Sequence, residues 1–144
     1  MSAHDPHDLQ RFVDAQQPVY AQVIEELRRG TKTGHWMWFI FPQVRGLGHS
    51  SLSERFGISS LEEAAAYLRH PILGPRLREC TSLVMGIERR SSQRIFGCTD
   101  NLKFRSSMTL FAQTTGDDEL FEQALRKFYS GKHDDRTIEI LGLG

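Results

Sequence analysis

"GHWMWFIFPQVRGLG", residues 34–48, holds six consecutive apolar residues, Trp36 to Phe41, and then runs through a proline into a glycine-rich turn. By periodicity alone, a run of that length fits a buried strand or a short buried helix equally well. Its aromatic enrichment leans towards a strand. Yet no second alternating run is present to pair with one, and a lone strand leaves its backbone N–H and C=O groups without partners. The segment therefore reads as a helix buried on all sides. Burying six such side chains stabilises by roughly 1.5–3 kcal/mol each, enough to make the run the nucleus of the core.

Helical periodicity recurs on both sides of it. Leu9, Phe12 and Val13, and then Tyr20, Val23, Ile24 and Leu27, keep the three-and-four spacing of one helix face. Pro18 suits the first turn of a new helix, so two helices meet near Gln17, and Gly30 stops the second. In "SSLEEAAAYLRHP", Ser59 and Glu62 have capping-box spacing, Leu61, Ala64, Ala65 and Leu68 form a stripe, and Pro71 ends the helix. Leu73, Leu77, Cys80, Val84 and Ile87 line the next one, and "SSQRIFG" is a short helical turn closed by Gly97. Asp100 starts a helix with Phe104, Met108 and Phe111 aligned. Asp117 opens another with Phe121, Ala124, Leu125 and Phe128 aligned, and Asp134 caps "DRTIEILG". The expectation is an all-α fold, a single compact domain of about seven to nine short helices around the aromatic-rich central segment. Residues 1–7 are read as a flexible N-terminal tail and 8–144 as the single all-helical domain.

Composition limits the function classes. At 144 residues the chain has the size of one domain and buries roughly two thirds of its unfolded surface. Its 39% hydrophobic and 25% charged content, with nine phenylalanines, describes a globule and not a disordered chain. Lysine plus arginine equals aspartate plus glutamate, 18 each. The basic excess of a polyanion binder is missing, so no nucleic acid is expected as a partner. Neutrality removes one barrier to self-association and leaves a homodimer possible. Cys80 and Cys98 form no C-x-x-C pair, and Cys80 falls on an apolar helix face, which suits a reduced, cytoplasmic protein. "MSAHDPHD" lacks a charged leader followed by an apolar stretch, and the longest apolar run is far short of a membrane span. A soluble chain with no membrane partner is expected.

"DLQRFVDAQ", "GHWMWFIFPQVRGLG", "FGISSLEEAAAYLRHPILGPRL", "IFG" followed by "DNLKFRSSMTLF", and "DDRT" together resemble a bacterial domain-of-unknown-function family, number eighteen-ten. The resemblance runs from Asp8 to about Leu141, nearly the whole chain. It implies an all-helical fold of short packed helices and no established activity. Members are sometimes labelled calpastatin, a calpain inhibitor. An inhibitor of that kind is a disordered repeat chain, whereas this sequence is compact, aromatic and unrepeated.

Several residue groups are candidates for chemistry. In "PQVRGLGHSS", Gly46 and Gly48 permit a sharp turn and a close backbone approach. Arg45 offers a forked donor for carboxylate or phosphate, and Gln43 a donor and an acceptor. Beside Trp36 and Trp38 such a loop suits a planar or anionic small molecule; it also reads as a plain tight turn with a surface arginine. His35 suits a general base, a ligand donor or a cap, and no partner acid is visible for it. "RRGTKTGH" fails the spacing of a phosphate loop and reads as a basic interhelical loop. In "DNLKFRSSMTLF", Lys103, Ser106 and Ser107 share a sector opposite Phe104, Met108 and Phe111. A lysine beside two hydroxyls suits phosphate or an activated serine, and equally a solvated face. "HDDRT" leaves Asp135 and Arg136 free beyond the cap at Asp134. Metal-ligand spacing and cofactor fingerprints are missing, so no metal and no cofactor are expected.

Two functions follow. One is a helical module that binds a small polar or anionic ligand, or a protein segment, near the WMWF and PQVRGLG segments. The other is a small enzyme on a phosphorylated or nucleotide-like substrate, with Arg45, Lys103 and Arg136 holding negative charge and His35 or Asp135 moving protons. Spatial convergence of these distant polar residues discriminates between the two.

Overall fold

The computed structural model describes residues 4–114 and 119–143; the helix start read at Asp117 lies outside them. Ten helices follow one another among the described residues: α1 (Gln10–Gln16), α2 (Tyr20–Arg29), α3 (Met37–Ile40), α4 (Ser51–Phe56), α5 (Leu61–Arg69), α6 (Leu73–Met85), α7 (Ser92–Phe96), α8 (Cys98–Ala112), α9 (Leu120–Tyr129) and α10 (Asp135–Ile140). The helix beyond the expected range is α4, whose sparse apolar pattern, Leu52 and Phe56, gives no stripe to read. Its start is set by Ser50, whose hydroxyl accepts from the Ser53 N–H at 3.1 Å.

The apolar run folds into α3, a single turn. At 100° per residue, Met37, Ile40 and Phe41 fall on one face, and these three are buried together with Trp36. Trp38 and Phe39 fall on the other face and are only half-buried, so the helix is not enclosed on all sides as expected. Phe41 anchors the core by meeting the rings of Phe104 and Phe96 edge-on, at 5.0 and 5.9 Å between centroids. A second aromatic chain runs from Phe12 to Tyr67 (5.1 Å), Phe111 (5.4 Å) and Phe121 (5.7 Å). Such pairs each stabilise by about 0.5–1.5 kcal/mol beyond their burial.

Helix ends differ from the sequence reading by small, explicable steps. The capping box of α5 sits one residue later than expected: Ser60 accepts from the Glu63 N–H at 3.1 Å, and the Glu63 carboxylate accepts from Ser59 N at 3.0 Å. Glu63 can turn inward because Arg11 Nη2 meets its other oxygen at 2.8 Å. The buried stripe of α5 consequently runs through Ala64 and Tyr67. Helix α8 begins at Cys98, directly after Gly97 at φ 91°, so Asp100 lies in its first turn and not at its start. Asp134 caps α10 as read, accepting from Thr137 N at 3.0 Å.

Two features position the segment after α3. A parallel bridge joins Val44 to Ile58, with Arg45 N donating to Ile58 O at 2.8 Å and Ile58 N to Gln43 O at 2.9 Å. Close approach of these segments requires Gly57, since a Cβ there would lie 2.7 Å from Arg45 Cβ and 2.8 Å from Ser53 O. The second feature is Glu26, a carboxylate 1% exposed. Its Oε1 accepts from Thr33 N (2.7 Å), Gly34 N (2.9 Å) and Trp36 Nε1 (3.0 Å), and its Oε2 from Gln22 (2.7 Å). The "TKTGHW" loop is thereby wrapped around one buried negative charge. Among the described residues no helix is long and apolar enough to cross a membrane.

Candidate functional site

A cleft of about 290 Å³ opens where α3, the 43–48 loop, α4, α8 and the start of α10 meet. Trp38, on the outer face of α3, forms one wall, and Val44, Leu47, Phe56 and Leu102 supply further apolar surface. Helix α8 contributes Thr99, Leu102, Lys103 and Ser106, an i, i+3, i+4, i+7 series that presents one face of the helix to the cleft. The capping turn of α10 adds Asp134 and Arg136, and the loop adds Gln43 and Gly48.

Charge is unevenly committed in this cleft. Lys103 Nζ lies 4.0 Å over the centre of the Trp38 ring and 3.0 Å from Asp100 Oδ1. The other oxygen of Asp100 binds Lys32 Nζ at 2.7 Å, and that lysine is 8% exposed and lies 5.1 Å over Trp36. Burial acts to raise the Asp100 carboxyl, but the two lysines outweigh it and hold it below the ordinary carboxylate range. Lys103 is thus fixed in place by a carboxylate that it shares with Lys32. Arg136, by contrast, is exposed at the rim and has no polar partner among the described residues. The half-buried Gln43 side-chain amide has none either. Ser106 donates to Leu102 O at 3.1 Å.

Six of the residues selected from the sequence meet here: Trp38, Gln43, Gly48, Lys103, Ser106 and Arg136. The others do not line it. Trp36 is 1% exposed and spends its indole N–H on Glu26. Ser107 is fully buried one position round the helix from Ser106, with no partner for its hydroxyl among the described residues, so the two serines do not share a sector. Arg45 is turned away by the Val44 bridge and lines a second depression with Arg11, Glu54 and Arg55. Gly46 faces Ile140, and His35 and Asp135 are exposed outside the cleft.

Sequence reasoning missed Phe56, Leu102, Asp100 and Lys32. A signal existed for Leu102: it is apolar yet lies off the Phe104, Met108 and Phe111 stripe, on the face that carries Ser106. No local signal links Lys32 to Asp100, because 68 residues separate them.

Comparison with known proteins agrees with this architecture. Residues 6–141 match the family model described as "Protein of unknown function (DUF1810)". No match is found among curated proteins. Among solved structures, the crystal structure of the conserved hypothetical protein Rv1873 from Mycobacterium tuberculosis, at 1.38 Å, is similar with 58% sequence identity. The likeness covers 97% of this chain and 100% of that one, with a TM-score of 0.95. The chain belongs to the DUF1810 family of proteins of unknown function.

Proposed function

We propose that this chain is a small cytoplasmic binding module whose cleft beside Trp38 holds a small molecule with a flat apolar body and an anionic head. One observation carries the reading. Lys103, held in place by Asp100, and an exposed Arg136 with no polar partner among the described residues both line a cleft walled by Trp38, Phe56 and Leu102. Aromatic and aliphatic walls with a few converging polar groups are the usual make-up of a small-molecule site. The enzyme reading loses its proton carriers, because His35 and Asp135 stand outside the cleft and the Ser106 hydroxyl is given to a backbone carbonyl. Two free cysteines fit a reducing cytoplasm.

Thermal denaturation against aryl carboxylates and aryl phosphates tests this. A ligand at 100 times its dissociation constant stabilises by about 2.7 kcal/mol. Arg136→Ala should weaken binding by roughly 1.5–3 kcal/mol, the scale of a hydrogen bond to a charged group. If no member of either class raises the midpoint, the reading fails.

A further inference from the structure

We infer that the occupant of this cleft is a mononucleotide-type molecule, whose ring edge pairs with Gln43 and whose phosphate meets Lys103 and Arg136. The inference rests on the binding reading above and names its ligand class. Its first support is Gln43. A primary amide presents one donor and one acceptor side by side, and this one lines the cleft, half-buried, with no partner among the described residues. A half-buried amide left idle by the protein is complementary to an adjacent donor–acceptor pair on a planar ring, the pattern by which glutamine reads a base edge.

Its second support is the wall chemistry. Trp38, half-buried, offers a π surface on which any base can stack, and the buried Phe56 adds apolar wall. Lys103 lies 4.0 Å over the centre of the Trp38 ring. That arrangement also sets an ammonium next to the stacking surface, where a phosphate attached to the ring would fall. Arg136 supplies a forked, uncommitted donor for the same group. Size is the third support. About 290 Å³ is close to the lower end of the usual range for small-molecule pockets, a scale that suits a ligand of mononucleotide size.

Calorimetric titration of the whole chain decides it. The four common nucleoside monophosphates are compared with phenyl phosphate, which has a ring and a phosphate but no pairing edge, and with 1-naphthoate, which lacks the phosphate. At least one nucleotide should bind roughly tenfold or more tighter than phenyl phosphate. Methylating the ring nitrogen at the pairing edge of that nucleotide should abolish the advantage on the unaltered protein. Gln43→Met, with a similar length and no amide, should remove the advantage too. If phenyl phosphate or naphthoate binds as tightly as every nucleotide, the nucleotide inference is overturned while the flat-anion reading stands. If nothing in the panel binds, both are overturned.

Discussion

Replacing Glu26 by glutamine isolates what one buried charge does for this fold. Burial alone would raise the Glu26 carboxyl, but the N–H donors of Gly34 and Thr33 and the side chains of Gln22 and Trp36 outweigh it and hold it down to about 2, against an ordinary 4.5. A depressed folded value contributes stability that is present above the unfolded value and is lost as pH falls through the folded one. The difference of 2.5 between those two values, at 1.36 kcal/mol per unit, is worth about 3 kcal/mol at neutral pH. In Glu26→Gln the Oε1 position can still accept from Thr33, Gly34 and Trp36, and the exposed Gln22 can turn its own amide to match. The variant therefore loses charge more than geometry. Urea denaturation should find it roughly 3 kcal/mol less stable at pH 7, and the gap should narrow to about 1 kcal/mol at pH 3, where protonation has already cost the parent about 2. A variant within 0.5 kcal/mol of the parent at both pH values would refute the claim that the loop before α3 is organised around this carboxylate.

Other substitutions separate core from cleft. Trp36→Ala should cost about 3–5 kcal/mol, as for a large buried aromatic, and Trp38→Ala no more than about 2, because Trp38 is half-buried; equal costs in denaturation would mean that the two faces of α3 are not distinct. Native protein should expose one thiol to a disulfide reagent, Cys98, and unfolded protein two. Cys80 is buried, and burial pushes its thiol up to about 12, so rapid reaction of both thiols in native protein would contradict its placement. Arg45→Ala should change stability by less than about 0.5 kcal/mol and leave ligand affinity unaltered, whereas Arg136→Ala should weaken binding; the reverse pattern in calorimetry would relocate the site to the Arg45 depression.

The helical architecture was legible because it rests on local signals. The stripe through Phe104, Met108 and Phe111, the cap at Asp134 and the stop at Gly30 each declare themselves within a turn or two of chain. The cleft was half legible. Trp38, Lys103 and Arg136 were chosen for their chemistry, and chemistry survives folding. Direction does not show in a sequence. Arg45 and Gln43 are two residues apart, yet the bridge at Val44 and the close passage over Gly57 put one in the cleft and the other outside it. Serines at 106 and 107 look interchangeable until the helix, buried on most sides at that point, assigns one to the cleft and the other to the core. The pairing of Lys32 with Asp100 depends on the loop after α2 meeting the first turn of α8, a long-range event with no local trace.

The two tryptophans allow the binding claim to be tested directly, since each contributes one indole N–H resonance. Trp38 lines the cleft, and Trp36 donates to Glu26 at 3.0 Å inside the core. Titration of the labelled protein with phenyl phosphate and with the nucleoside monophosphates, followed by nitrogen–proton correlation spectra, reads both at once. A saturable shift of the Trp38 indole with an unmoved Trp36 is the predicted result. Spectra in which neither indole responds at millimolar ligand, or in which only residues around Arg45 do, would contradict a site in this cleft.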